Sequence, residues 1–212
     1  DARRRLFKVS VSDGATIEVG PRDATVWEFD LFGEQAAIAL ISADASERGW
    51  YHSKLAQIDF TTRTVKILHQ SSWQLQGPSA SPSRKRVAFL EGWSSDRGLV
   101  AGEMRILDLA TGNVTSLAAA EQSNVSAISW RDEEGLWFAG WSRLGSTYGI
   151  VRLDGTFDCT AREDAVVGPN SFLASISPAP GNKGFAAVRE AIGAPREIVF
   201  KAAPKSDWSR IT

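Results

Sequence analysis

This sequence has almost no sulfur and almost no imidazole. Cys159 is the one cysteine, there is one methionine, and His52 and His69 are the two histidines among 212 residues. A single thiol forms no internal disulfide and builds no cysteine-based zinc site. The two histidines have no spacing that suggests a metal cage, so neither a metal nor a cofactor is expected. Excess charge of one sign is also missing: 24 Lys and Arg balance 25 Asp and Glu, for a net charge of −1. Nucleic-acid binding needs a basic excess on one face, so that class is set aside. The one basic run, Arg3-Arg4-Arg5, reads as a solvated end. No apolar run reaches the roughly 18 residues of a membrane helix. No signal peptide is visible, and the expectation is a cytoplasmic protein with no membrane partner. The chain opens on Asp1, not methionine, and so reads as a segment of something longer, which leaves a lost leader open.

What is present is a repeat. Leu6-Phe7-Lys8-Val9-Ser10-Val11 returns as Leu55-Ala56-Gln57-Ile58-Asp59-Phe60 and then as Met104-Arg105-Ile106-Leu107-Asp108-Leu109. It comes back as Ile150-Val151-Arg152-Leu153-Asp154-Gly155 and as Ile198-Val199-Phe200-Lys201. The starts are 49, 49, 46 and 48 residues apart. Turns follow most copies, among them Ser12-Asp13-Gly14, Thr61-Thr62-Arg63 and Thr111-Gly112-Asn113. An all-β period near this length is the spacing of propeller blades, each a four-stranded sheet around an axis. The fold class is therefore all-β, a β-propeller of about four four-stranded antiparallel blades plus an N-terminal hairpin. Residues 1–20 make half a blade, and the blades run over about 24–70, 71–120, 124–162 and 169–212.

Within each blade the pattern is legible. Val26, Glu28 and Asp30 alternate with Trp27, Phe29 and Leu31, the period of a strand. Residues 36–43 are continuously apolar, as expected of a strand buried on both faces. Pro78-Ser79-Ala80-Ser81-Pro82 is rich in small residues, which suits the crowded strand nearest the axis. Residues 172–177 are read as a strand, residues 118–122 as one possible helical turn, and Pro178-Ala179-Pro180-Gly181-Asn182 as a turn. The leading hairpin lacks an inner pair of strands, and the C-terminus ends on its own outer strand. The expected shape is a partial propeller, an open arc with apolar faces at its ends and an unpaired edge at residues 6–11. A homo-oligomer through those open edges is expected.

One family resemblance rests on particular residues. Gly135-Leu136-Trp137-Phe138-Ala139-Gly140-Trp141-Ser142-Arg143 with Tyr148-Gly149-Ile150-Val151-Arg152-Leu153-Asp154-Gly155 resembles one propeller blade of prolyl oligopeptidase-type serine peptidases, nearest the acylaminoacyl peptidases and dipeptidyl aminopeptidases. Ala174-Ser175-Ile176-Ser177-Pro178, Val188-Arg189-Glu190 and Pro195-Arg196-Glu197-Ile198-Val199 are similar to that propeller's last blade. These blade motifs are shared with TolB-like propellers. The resemblance implies an α/β-hydrolase domain C-terminal to Thr212 in the parent, short peptides as substrates, and a propeller that gates access to them. The family's serine sits in a Gly-x-Ser-x-Gly elbow. Gly140-Trp141-Ser142-Arg143-Leu144-Gly145 misses that pattern by one residue and reads as a strand-to-loop turn. No catalytic residue is assigned, and the chain alone is expected to be inactive. The alternative is a TolB-like or WD40-like propeller serving as a protein-binding scaffold.

The candidate site residues come from loops where a blade's second strand meets its third. Trp50, Trp93 and Trp141 read either as an aromatic rim for a peptide or a neighbouring domain, or as packing between blades. Arg48, Arg97 and Arg143 lie in the same loops, as guanidiniums for a carboxylate or as ordinary surface charge. Asp132-Glu133-Glu134 reads as a solvated turn at the opposite end, Asp59, Asp108 and Asp154 as turn caps, and His52 as structural.

Overall fold

A computed structural model describes residues 3–94, 100–117 and 123–212. A hairpin of β1 (Phe7–Val9) and β2 (Thr16–Glu18) leads into three four-stranded sheets. The first holds β3 (Thr25–Leu31), β4 (Ala36–Ser42), β5 (Lys54–Asp59) and β6 (Val65–His69), with helix α1 (Glu47–Tyr51) between β4 and β5. The second holds β7 (Gln74–Ala80), β8 (Arg86–Ser94), β9 (Val100–Asp108) and β10 (Val114–Leu117). The third holds β11 (Ser123–Asp132), β12 (Gly135–Ser142), β13 (Gly145–Arg152) and β14 (Phe157–Glu163). The last sheet is built on β17 (Phe185–Ala191), β18 (Ala194–Lys201) and β19 (Ser209–Arg210), with β15 (Val166–Val167) and β16 (Ser177–Pro178) both pairing with β17. All pairs are antiparallel, and each of the first three sheets is a meander in sequence order. The repeat read from the sequence is this sheet, and the architecture is that of propeller blades.

Strand alternation explains how the sheets stack. Ala37, Ala39 and Ile41 of β4 pack with Leu6 and Val19 beside the hairpin, while Ile38 and Leu40 pack with Leu75, Val87 and Phe89 of the second sheet. Val87 and Phe89 thus face backward from β8, and Ala88 and Leu90 face forward to Val125, Leu136 and Phe138. Trp137 and Ala139 of β12 turn the other way, onto Phe185, Ala187 and Val199 of the last sheet. Side chains alternate faces along a strand, so a strand between two sheets must be apolar at every position. Among the described residues no core cluster joins the last sheet back to the first, so the stack is open. The outer faces at its ends carry exposed apolar groups: Phe7, Val9, Ile17, Phe29 and Leu31 at one, Ile198 and Ile211 at the other.

The first strand of each sheet leaves one edge unpaired, and neighbouring sheets cap it. The Gly77 N–H donates to Glu28 at 2.7 Å and the Ala80 N–H to Asp30 at 2.8 Å. Trp130 Nε1 donates to the Ser79 carbonyl at 2.9 Å, and Ser126 Oγ to the Ala174 carbonyl at 2.7 Å. Register shifts at Val26/Glu28, Gln76/Ser79 and Val125/Ala127 bulge all three first strands. A bulge twists an edge strand and frees a backbone group for another partner. Burial raises the Glu28 carboxyl above its usual range, against the Gly77 bond and the Arg4 charge that lower it.

Two readings are corrected. Residues 172–177 are not one strand: β16 begins at Ser177, and β15, ahead of residue 169, supplies the other half of the inner strand. The chain leaves the sheet at Gly168, whose φ is 156° and where an added Cβ would stand 2.1 Å from the Leu173 carbonyl. Asn170 Oδ1 then accepts from the Phe172 and Leu173 N–H groups, holding the loop out. The Asp132-Glu133-Glu134 turn is not merely solvated, because Glu133 accepts from Ser83 and, through its carbonyl, from Arg86 of the second sheet. The helical turn expected at 118–122 lies outside the described residues. Asp59, Asp108 and Asp154 do cap their turns: Asp59 and Asp108 each accept from two backbone N–H groups and a threonine hydroxyl, Asp154 from the hydroxyl and N–H of Thr156, and these bonds hold the carboxyls below the usual range.

Phe138 is fully buried between the second and third sheets and meets Phe157 edge to face at 5.3 Å. Phe138→Ala is expected to cost about 3–5 kcal/mol, read as a lower urea midpoint at unchanged slope.

Candidate functional site

Register fixes which side chains gather at which end. Thr25 pairs with Ser42, Gln74 with Gly92, and Ser123 with Ser142, so each first strand begins beside the end of its second strand. The second-to-third connections and the links between sheets therefore share one end of the molecule, the loop end. The tight turns built on Asp13, Asp59, Asp108, Asp132 and Asp154 share the other.

At the loop end α1 forms a cap over the first two sheets. Ser42 Oγ accepts from Trp27 Nε1 and donates to the Asp44 carbonyl, and Asp44 Oδ1 accepts from the Ser46 N–H. Gly49 lies so close that an added Cβ would stand 1.9 Å from the Asp44 carbonyl. This turn carries two of the sequence candidates in different directions. Trp50 is half-buried, meets the Tyr51 ring at a tilt with centroids 5.0 Å apart, and its carbonyl accepts from Gln74 Nε2 at 3.1 Å. Arg48 is exposed and lines a depression of about 730 Å³ with Arg22, His52, Lys54 and Ile67.

Trp93 is 71% exposed near the end of β8 and packs against Trp73, 46% exposed, with ring centroids 5.3 Å apart and planes tilted by 52°. Trp141 is half-buried, and its indole donates to the Phe172 carbonyl at 3.2 Å. Trp141 and Arg143 border a second depression of about 810 Å³ with Leu144, Arg162, Glu190 and Ile192. Arg143 holds the β12–β13 turn at a φ of 56°. Arg97 lies outside the described residues. The structure thus places Trp50, through Gln74, next to the Trp73–Trp93 pair, and sets Trp141 with Arg143 in the following sheet. Trp73 was missed by the sequence reading. Its signal is a tryptophan in a short polar link, Ser71-Ser72-Trp73, just ahead of a first strand.

A second cluster, also missed, ties the last two sheets together below this end. Glu163 accepts from Tyr148 Oη, from Arg189 Nε at 2.9 Å and from Trp208 Nε1 at 2.8 Å. Burial works against the charge, but these donors outweigh it and hold the Glu163 carboxyl below its usual range. Burial first, then the bond to Glu163, pushes the Tyr148 hydroxyl up. Lys201 lies over the Trp208 and Tyr148 rings at 4.6 and 5.4 Å and donates to the Pro204 carbonyl, and its burial lowers the ammonium pKa. The groups come from β13, β14, β17, β18 and the segment before β19, so no sequence spacing marks them.

Among the described residues no group of three His, Cys, Asp or Glu side chains could hold a metal ion, and no helix is long and apolar enough to cross a membrane. The stacked four-stranded sheets define a β-propeller. No protein family and no curated protein matches this chain. Among solved structures it is similar to TolB from Acinetobacter baumannii, at 15% identity and a TM-score of 0.71, over 98% of this chain and 48% of that one. It is similar to an oligogalacturonate lyase in complex with manganese, at 12% identity and a TM-score of 0.70, over 99% of this chain and 59% of the other. It is similar as well to puromycin hydrolase, at 14% identity and a TM-score of 0.66, over 100% of this chain and 35% of the other. The chain spans about half the length of the first two. At these identities the likeness shows the propeller fold.

Glu163→Gln is expected to destabilise the protein by about 1–3 kcal/mol at neutral pH. The folded carboxyl lies below the unfolded value, so its contribution is present above the usual glutamate pKa and is lost as pH falls through the folded one. Urea midpoints of the two proteins, measured down an acid series, should therefore converge.

Proposed function

We propose that this chain is a non-catalytic propeller scaffold that docks a polypeptide across its loop end. One observation carries this reading. Trp73, Trp93, Leu144, Phe172 and Ile192 are all large, apolar and exposed at that end, with Leu144 at 96%, while the opposite end is built of Asp-capped turns that leave Val11 and Leu31 exposed. Exposed apolar groups gathered on one face mark an interaction surface, and tryptophan is the residue most often found to anchor one. Propeller loops suit the task because a rigid stack of sheets fixes their positions.

In its finer form the reading is the accessory propeller of a prolyl oligopeptidase-type serine peptidase, with the docked partner an α/β-hydrolase domain and short peptides passing between them. The blade motifs around residues 135–155 and 174–199 support this form. A TolB-like scaffold for another protein is the alternative, and it uses the same face. A Gly-x-Ser-x-Gly elbow in the reading frame after Thr212 separates the two.

The chain alone is expected to leave peptidyl and acyl-aminoacyl chromogenic substrates unhydrolysed. Turnover that survives repurification and is blocked by a serine-directed covalent inhibitor overturns the non-catalytic reading. A hydrolase domain encoded after Thr212 should co-purify with this chain, and Leu144→Glu should weaken that complex roughly tenfold or more. An unaffected complex means the domain docks elsewhere.

A further inference from the structure

The Trp73–Trp93 pair differs from the other apolar groups of the loop end in what lies beneath it. Phe89, Glu91 and Trp93 follow one another on one face of β8. Phe89 is fully buried, with the His69 ring packed on it at 5.2 Å. Glu91 is the next step outward and is 9% exposed, and Trp93 is the open end of the column. Glu103 stands opposite Glu91 on β9 and its side chain is 58% exposed. It lies diagonally across from Trp93, within reach of a long side chain.

Glu91 and Glu103 draw on the same basic partner. Arg105 serves both carboxylates, with Nε 2.7 Å from Glu91 and Nη1 3.1 Å from Glu103. His69 Nε2 lies 3.3 Å from Glu91, and Ser71, whose hydroxyl also accepts from the Trp73 N–H, bonds to Glu91 as well. Two carboxylates thus share one guanidinium beside the paired, exposed indoles. A cation over an indole is attracted by the ring quadrupole, by about 0.5–1 kcal/mol at an exposed site. A nearby carboxylate adds to that attraction.

We propose that the Trp73–Trp93 pair, with Glu91 and Glu103 at its base, is the socket for a cationic side chain, arginine or lysine, of the polypeptide docked on the loop end. The proposal rests on the docking reading and adds to it the chemistry of the anchor. The two indoles supply the faces, Glu103 supplies the accessible carboxylate, and Arg105 keeps the site from being a bare acidic pair.

The test uses capped Gly-Arg-Gly, Gly-citrulline-Gly and Gly-Glu-Gly peptides at pH 8 and low salt, followed by NMR of the indole N–H groups. Citrulline keeps the shape of arginine and removes its charge. The arginine peptide should shift the Trp73 and Trp93 resonances saturably, and citrulline should bind about fivefold more weakly. Trp93→Leu, at a position 71% exposed and so safe for the fold, should abolish the Trp73 shift. Glu103→Gln should weaken arginine binding about threefold and leave citrulline binding unchanged. Equal binding of arginine and citrulline peptides overturns the cation socket and leaves the docking reading standing. Preference for the glutamate peptide overturns it in favour of the arginines of this end. If no peptide perturbs any loop-end residue, the docking reading fails as well.

Discussion

A strand sandwiched between two sheets has no solvent face, and the rest of this structure follows from that. Residues 37–41 of β4, 87–90 of β8 and 136–139 of β12 are buried in succession, odd and even positions serving different neighbours. Burying both faces of such a strand stabilises the fold by on the order of 1.5–3 kcal/mol per large apolar side chain. It also couples the sheets, since successive positions of β8 pack on opposite neighbours. Packing at this density leaves little room for polar groups inside the stack, and so chemistry is pushed to the two ends.

The inner edges raise the opposite problem. A first strand shows unpaired N–H and C=O groups toward the axis, and buried backbone groups must find partners. The protein meets this with side chains of the adjacent sheet: Glu28 and Asp30 for the N–H groups of β7, Trp130 and Ser126 for carbonyls beyond their own strands. Each of these bonds spans 48 to 51 residues in sequence, which is one repeat. The repeat is therefore a unit of edge capping as well as of core packing. The same logic explains Glu163, which joins the last two sheets where an ordinary apolar contact gives way to an accepting carboxylate with three donors.

The two ends then differ for local reasons. Turn residues with Asp two or three positions before a backbone N–H make short hairpins that satisfy their own backbone groups. The connections at the loop end are longer or carry apolar residues. They place Trp73, Trp93, Leu144, Phe172 and Ile192 in solvent. No interior packing demands those side chains, which is why the functional reading rests on this end.

The sequence by itself determined the repeat, the all-β class, the doubly buried strands and the Asp-capped turns. All of these are local: period-two alternation, continuous apolar runs and turn chemistry act within a few residues. The broken inner strand of the last sheet was not legible, because close backbone approach at Gly168 and the Asn170 turn overrode the apolar pattern at 172–177. Nor could the sequence sort its eight tryptophans. Trp130 and Trp137 are buried, Trp50 and Trp141 are half-buried props, and Trp73 and Trp93 form an exposed pair. Burial of an indole depends on which sheet lies opposite, and partners some 20 to 50 residues away, as at the Trp73–Trp93 pair and in the Glu163 cluster, meet only when the sheets are stacked.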